Sequence, residues 1–210
     1  MRYESKMGKG DTQNMMDHNV VRFVMLASYN DSKGQLQVIN AVSEMNDLPL
    51  GRLKIDFWGS GTEEYTRFLS KKINDRGLEN TIRLMGYTED TWDVLKSYDV
   101  GINCSYMEAF GRSTIEYLAM GMPVIASDCG SNPELISDES KGIIFEYNNK
   151  KSLIDAIEYM VLRFADYKRN SIRLRRYAVD CFSAEKNAEK FVSHIKMCRN
   201  HINVDESMKI

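Results

Sequence analysis

The sequence predicts an α/β fold, a parallel, doubly wound six-stranded sheet with helices on both faces. Three observations lead to this prediction. Short apolar runs of strand length recur along the chain, segments with helical spacing separate them, and glycine-containing turns follow several of the runs. Strands that alternate with helices form parallel sheets through right-handed crossovers, so the carboxyl ends of all strands are expected at one edge.

Apolar runs mark the strands and apolar spacing marks the helices. The predicted strands are residues 20–27, 53–58, 82–85, 99–103, 124–126 and 142–145. Predicted helices lie between them, and a longer helical region spans residues 151–199. Trp58 and Trp92 are predicted to lie in the core. Residues 1–19 are expected to form a linker or disordered start, residues 20–200 one domain, and residues 201–210 a frayed tail.

The composition is typical of a globular cytoplasmic domain. The 210 residues are 43% hydrophobic and 28% charged with a net charge of −2, which allows one sizeable core and gives no bulk attraction to nucleic acid. Four cysteines without a C-x-x-C pair favour a reducing compartment and disfavour a zinc site. No apolar run has membrane-spanning length, and no D-x-D string supports a site built around a metal ion.

Residues 104–127 carry the candidate chemistry. Two carboxylates, Glu108 and Glu116, have seven residues between them, and Gly111 lies in the turn before a predicted helix. Gly111 would let the backbone approach a ligand, and the free N–H groups of the helix start favour phosphate. A carboxylate in the first helical turn can accept hydrogen bonds from a ribose diol. Equally, Glu116 could complement the helix dipole and Glu108 could be a solvated loop residue.

The whole string is more specific than the spacing. Glu-Ala-Phe-Gly-Arg-Ser-Thr-Ile-Glu at residues 108–116, followed by Gly-Met-Pro-Val-Ile-Ala at residues 121–126, resembles the E-x7-E signature of retaining GT-B glycosyltransferases of family 4, the group 1 type. The resemblance covers about residues 20–200. It implies one half of a GT-B fold, the Rossmann-like C-terminal domain that binds the donor. It also implies a UDP- or GDP-linked sugar as substrate, no cofactor, and a missing N-terminal acceptor domain or partner subunit.

The resemblance also implies roles for individual residues. Glu108 is the expected catalytic contact to the donor sugar, Glu116 the expected ribose ligand, and Lys33 an expected ligand of the diphosphate. The residues expected to bind the donor are Lys33, Gly59, Gly61, Met85, Tyr87, Phe110, Gly111, Arg112, Ser113, Thr114 and Glu116. No metal ligand is expected. From the residues alone, Lys33 could also be a solvated loop lysine, and Gly59 with Gly61 could form only a tight turn.

One position departs from the family pattern. The family usually carries an arginine at the end of the first strand, where this chain has Ser28. Arg112 follows Gly111 at the expected phosphate-binding helix start, so we expect it to supply the second cation. The alternative places Arg112 in solvent or against the other domain.

The expected function is donor binding in a retaining, metal-independent glycosyltransferase that builds a polysaccharide or glycolipid. The isolated chain is expected to bind nucleotide without transferring sugar. Two alternatives are a non-catalytic nucleotide-sugar-binding subunit and a GT-B-like epimerase. NAD is disfavoured because Glu64 stands where the G-x-G-x-x-G fingerprint needs its third glycine. Arginines and a lysine between residues 163 and 176 form either a solvated face or a contact to acidic headgroups at the inner membrane surface.

Overall fold

The computed structural model describes residues 20–45, 50–183 and 185–186. The strands in these ranges are β1 (Val21–Leu26), β2 (Leu53–Trp58), β3 (Ile82–Gly86), β4 (Val100–Asn103), β5 (Val124–Ser127) and β6 (Gly142–Phe145). The α-helices are α1 (Gln35–Val42), α2 (Glu63–Asn74), α3 (Thr91–Leu95), α4 (Arg112–Ala119), α5 (Asn132–Leu135), α6 (Lys150–Leu162), α7 (Phe164–Arg169) and α8 (Ser171–Phe182). Two short 3-10 helices span Asp31–Lys33 and Leu50–Arg52.

The six strands form one parallel sheet in the order β3-β2-β1-β4-β5-β6. The fold class predicted from the sequence is therefore confirmed. The chain winds outward from β1 to β3, returns to β4 beside β1, and winds outward again to β6. The direction changes between β1 and β4, and open α/β sheets bind their ligands in the crevice at such a switch point.

Alternation along the strands supplies the two faces of the sheet. Val21, Phe23 and Met25 of β1 lie in one buried cluster, which also contains apolar residues of α1, α2 and α6. Val24 lies in the cluster on the other face, with residues of α4, α5 and α8. Because both faces are covered, the strands are nearly continuous apolar runs, as parallel sheets require.

Two sequence predictions need correction. The prediction that Trp92 lies in the core is wrong, since the residue is 51% exposed and Leu95, three positions later in α3, is buried instead. The region from residue 151 is helical but broken, because Arg163 (φ −105°, ψ 11°) and Asn170 interrupt it between α6, α7 and α8. The expectations for residues 1–19, 187–199 and 201–210 lie outside the described residues.

Candidate active site

A cleft of about 510 Å³ opens at the carboxyl edge of the sheet, at the switch point between β1 and β4. The loops that follow β1, β2, β3 and β4 form its walls. Seven of the residues expected to contact the donor line this cleft: Lys33, Gly59, Tyr87, Glu108, Arg112, Ser113 and Glu116. Residues far apart in the chain therefore meet in one concave site that carries both cations and carboxylates.

Lys33 and Glu108 face each other across the cleft. The Lys33 Nζ atom lies 3.4 Å from Glu108 Oε2, and the two side chains are 26% and 16% exposed. The backbone amide of Gly111 donates a 3.1 Å hydrogen bond to the other carboxylate oxygen, Oε1. The two loops are tied directly, since the Tyr106 amide donates to the Ser32 carbonyl at 2.8 Å. Glu108 is thus held by Lys33 and by the start of α4, and it is not a solvated loop residue.

Helix α4 begins at the cleft. Gly111 is its N-cap in the left-handed conformation (φ 71°, ψ 40°), and as a glycine it has no side chain of its own to cap the helix start. Arg112 is exposed and lines the cleft together with Ser113 and Glu116. Desolvation raises the pKa of Glu116 and the Arg112 charge partly opposes the rise. The helix start therefore combines free N–H groups, one cation and one half-buried carboxylate, which suits a phosphate beside a hydroxyl-bearing group.

A buried polar network lies beneath this helix start. The side-chain amide of Asn103 donates to Thr114 Oγ1 at 3.0 Å, and the Thr114 hydroxyl in turn donates to Asn132 Oδ1 at 3.1 Å. Ser127 donates to the Ser105 carbonyl at 2.8 Å, and the Ser105 amide donates to Asn103 Oδ1 at 3.1 Å. All five residues are buried. The network fixes the loop after β4 against α4 and α5, and it leaves Thr114 only its backbone for a ligand.

The site glycines pack against protein. A Cβ on Gly111 would lie 2.4 Å from Leu135 Cδ1, and a Cβ on Gly61 would lie 2.3 Å from the Tyr29 carbonyl oxygen. A Cβ on Gly59 would lie 1.9 Å from the Ala27 carbonyl oxygen. At Gly111 the missing side chain makes room for Leu135 of helix α5. The expectation that the Gly111 backbone approaches a ligand stays a prediction. Glycine at these positions serves close contact between loops.

The remaining expected donor-binding residues lie around the cleft without lining it. Gly61, Met85, Phe110, Gly111 and Thr114 are absent from the described cleft wall. Phe110 is 60% exposed on the loop before α4. Met85 lies in β3, whose end is held by a buried tyrosine: Tyr29 donates to the Phe57 carbonyl at 2.7 Å and accepts from the Gly86 amide at 3.3 Å. Through these two hydrogen bonds, Tyr29 joins the end of β2 to the end of β3, next to Tyr87 of the cleft wall.

Trp58 packs against the hydrophobic core, as predicted, and it also belongs to the cleft wall. Its indole N–H donates to the Tyr98 hydroxyl at 2.8 Å, and that hydroxyl donates to Asp56 Oδ2 at 2.7 Å. Burial raises the pKa of Tyr98 to about 12, so its hydroxyl keeps its proton at neutral pH. Arg83 completes this hydrogen-bond network by donating two hydrogen bonds to the buried Asp56 carboxylate, at 2.8 and 2.6 Å. The indole is therefore fixed in position beside the cleft.

Sequence reasoning also missed polar residues of the cleft wall. These are Ser60, Thr88, Glu89, Thr91, Asn103 and Ser105. They share one signal, because each lies at or just beyond the carboxyl end of a strand of the sheet. Within the ranges that the structure describes, no group of three or more His, Cys, Asp or Glu side chains could hold a metal ion. In that same part of the chain, no helix combines the length and apolarity needed to span a bilayer.

Comparison with known proteins places this site in a family. The model of the family described as Glycosyl transferases group 1 matches residues 12–172. Poly(glycerol-phosphate) alpha-glucosyltransferase of Bacillus subtilis (strain 168) is 29% identical over 136 residues, which are 64% of this chain and 20% of that protein. Poly(ribitol-phosphate) alpha-N-acetylglucosaminyltransferase of Staphylococcus aureus (strain COL) is 26% identical over 142 residues, which are 67% of this chain and 28% of that protein. The chain thus spans less than a third of the length of these relatives.

Solved structures agree with the family match. A glycosyltransferase from Rickettsia africae ESF-5 matches with a TM-score of 0.76 and 25% identity, over 85% of this chain and 48% of that chain. Anabaena Alr3699/HepE, solved in complex with UDP, matches with a TM-score of 0.76 and 19% identity, over 85% of this chain and 49% of that chain. The fold is that of one half of a GT-B glycosyltransferase. The chain belongs to the glycosyl transferases group 1 family.

Proposed function

We propose that this chain is the donor-binding domain of a retaining, metal-independent glycosyltransferase, which transfers a sugar from a nucleoside-diphosphate sugar to a glycan or glycolipid acceptor. One observation carries the proposal. Lys33, Glu108, Arg112 and Glu116 converge on one cleft at the switch point of the sheet. Two cations suit a diphosphate, and two carboxylates suit the hydroxyl groups of ribose and of a sugar.

Each residue has a role in this proposal. Lys33 and Arg112, with the amides of Gly111, Ser113 and Thr114, hold the diphosphate leaving group. Their charges stabilise the negative charge that develops as the bond between sugar and phosphate breaks. Glu116 accepts hydrogen bonds from the ribose diol at the start of α4. Glu108 contacts the donor sugar, where its negative charge stabilises positive charge that develops on the ring. We assign no general base.

The other donor contacts belong to the base end of the cleft. Tyr87 lines that wall and is 70% exposed. Backbone groups around Met85 and Tyr87, with the Gly59 turn, are the proposed contacts of the base. UDP and GDP are both candidates. Phe110 and Gly61 are exposed outside the cleft wall, and their proposed contacts are a second domain or the donor's far end.

The proposed partner is an acceptor-binding domain or subunit. The solved relatives are about twice as long as the matched part, since this chain covers 48% and 49% of two of them. Transfer requires the acceptor hydroxyl to be held against the donor, and orientation of two reactants accounts for much of a catalyst's effect. The isolated chain should therefore bind donor but transfer sugar slowly or not at all.

Ligand-observed NMR with UDP, GDP, ADP, CMP and NAD tests the proposal. The method detects binding near millimolar, about −4 kcal/mol, which half of a site would give. We expect one nucleoside diphosphate to bind selectively and Glu116→Ala to abolish this binding. Glu79→Ala, on an exposed turn before β3 at the opposite edge of the sheet, is the matched control and should leave binding intact. Equal binding of all five compounds, or loss in the control, would contradict the proposal.

Two alternatives make different predictions. A non-catalytic binding subunit would bind donor but gain no transferase activity when the acceptor domain is supplied. An epimerase would convert the donor to an isomeric sugar nucleotide without any acceptor. Incubation with donor, first alone and then with the partner domain and acceptor, separates all three.

The proposed location is cytoplasmic, with peripheral contact to an anionic membrane surface through α8. Arg173 and Arg176 are exposed on α8, and Ile172 beside them is 76% exposed. Basic and apolar side chains on one helix suit an anionic lipid surface. Sedimentation with vesicles should show binding to phosphatidylglycerol vesicles, none to phosphatidylcholine vesicles, and loss of binding in the Arg173→Glu, Arg176→Glu double variant.

A further inference from the structure

The Glu108 carboxylate contacts two groups that the proposed function assigns to the donor's diphosphate. Its two carboxylate oxygens contact Lys33 Nζ at 3.4 Å and the Gly111 amide at 3.1 Å. Lys33 is the proposed phosphate cation. Gly111 is the N-cap of α4, and the N–H groups and the helix dipole stabilise an anion at this position.

From this geometry we propose that Glu108 is an internal anion that competes with phosphate, and that it thereby favours a nucleoside-diphosphate sugar over a free nucleoside diphosphate. The inference rests on the proposed function, because it concerns the same cleft. The carboxylate contacts Lys33 and the Gly111 amide. When a diphosphate arrives, the carboxylate must leave.

The backbone at Glu108 is fixed, so the change is a movement of the side chain. The Glu108 carbonyl accepts a 3.0 Å hydrogen bond from the Ser131 amide. A Cβ on Gly130 would lie only 2.0 Å from this carbonyl oxygen, so the two backbone segments are in close contact. The hydrogen bond and ion pair that the described residues make with the side chain both involve its terminal oxygens. Rotation about its own bonds breaks these two contacts and turns the carboxylate into the cleft.

The chemistry of the two ligands then differs. A carboxylate only accepts hydrogen bonds, and so does an ionised diphosphate. When a free nucleoside diphosphate displaces it, the Glu108 carboxylate loses its contacts with Lys33 and the Gly111 amide and remains beside the negatively charged diphosphate. Displaced by a nucleotide sugar, it meets sugar hydroxyls that can donate to it. The competition therefore weakens binding of the free diphosphate, which is the product of transfer, more than binding of the donor.

Affinities of UDP, UDP-glucose and inorganic pyrophosphate for the whole chain test the proposal, with GDP and GDP-mannose in place of the uridine compounds if the nucleotide panel selects guanine. Glu108→Gln keeps the shape of the side chain and removes its charge. We expect it to tighten binding of the free diphosphate and of pyrophosphate by about threefold or more, and to lower the preference for the nucleotide sugar. In wild type, pyrophosphate should shift the amide resonance of Gly111.

The matched control is Glu89→Gln, which removes the same charge from the same cleft wall. It should tighten diphosphate binding less than Glu108→Gln does. Weaker or unchanged diphosphate binding by Glu108→Gln overturns the inference, and so does equal tightening by Glu89→Gln. If diphosphate binding depends on Glu116 but is insensitive to Glu108→Gln, only the inference fails. If no nucleotide or pyrophosphate binds to wild type or to either variant, the proposed function fails with it.

Discussion

The Tyr117 hydroxyl accepts a 2.7 Å hydrogen bond from the backbone amide of Leu26. Tyr117 lies in α4 and is fully buried, and Leu26 ends β1. Strands β1 and β4 pair only through Phe23 with Val100 and Val24 with Gly101, so the Leu26 amide lies beyond the paired residues. The tyrosine thus supplies from a helix the acceptor that a neighbouring strand would supply elsewhere in a sheet.

Tyr117→Phe removes this acceptor from the Leu26 amide, at a position that is partly buried. We expect the free energy of unfolding to fall by about 1–3 kcal/mol. Urea denaturation measures it. Tyr106→Phe, which removes a hydroxyl from a residue that is 56% exposed, should change the free energy by less than about 0.5 kcal/mol. Similar values for the two variants would show that the hydrogen bond to Leu26 contributes nothing.

The Tyr117 ring also requires Gly101 in β4. A Cβ on Gly101 would lie 2.1 Å from a ring carbon, far inside contact distance. Gly101→Ala should therefore destabilise the fold by about 1–3 kcal/mol, because the ring or the strand must move. Gly51→Ala is the matched control, since a Cβ there meets nothing within 4 Å. Equal denaturation midpoints for the two variants would refute the packing argument.

The role predicted for Arg112 can be tested by comparing a ligand with a diphosphate to one without. Arg112→Ala should weaken UDP binding by about three- to tenfold, because a charge-assisted contact to the diphosphate is lost, and should leave uridine binding unchanged. Titration of both ligands into wild type and variant measures the ratio. Arg67→Ala removes an arginine that is 73% exposed on α2 and should affect neither ligand. Parallel weakening of UDP and uridine would remove Arg112 from the phosphate site.

Glu116 makes stability depend on pH. Desolvation raises its pKa above the ordinary value of 4.5, with Arg112 opposing. The native state therefore holds this proton more tightly than the unfolded chain does. The free energy of unfolding falls as the pH rises from 4.5 through the raised pKa, and the loss is complete above it.

Glu116→Gln removes this titration. The free energy of unfolding of the variant minus that of wild type should therefore increase with pH across that window and become constant above it. Urea denaturation at several pH values measures the difference, in which effects shared by both proteins cancel. A difference that decreases with pH would contradict the sign. Glu79→Gln, on an exposed turn, should show no such slope.

The fold was predictable because its signals are local. Each strand of the sheet is a short apolar run, and every run was found within a few residues of its observed bounds. Trp92 was misplaced because it shares one face of the five-residue helix α3 with Leu95, and spacing does not show that this face is buried at Leu95 but exposed one turn earlier. Arg163 carried no sequence signal for a helix break, since arginine is a good helix former.

The site was predictable only in part. Glu108, Glu116 and Gly111 form one continuous string, so their proximity follows from the sequence. The pairing of Lys33 with Glu108 joins residues 75 apart and follows from the order of the strands. The contact of Gly111 with Leu135 depends on how α5 packs, and no local pattern encodes it. Roles assigned through the family resemblance remain predictions.

Helix α8 has a practical consequence for expressing this protein. Leu174 and Ala178 of α8 are buried against Tyr117 and Leu118, which form the back of α4. The family match ends at residue 172, before these contacts. A protein truncated at residue 172 would lack these contacts and would expose the apolar side chains of α4 that α8 covers. Such a product should aggregate on purification, so an expression boundary for this domain belongs after Phe182.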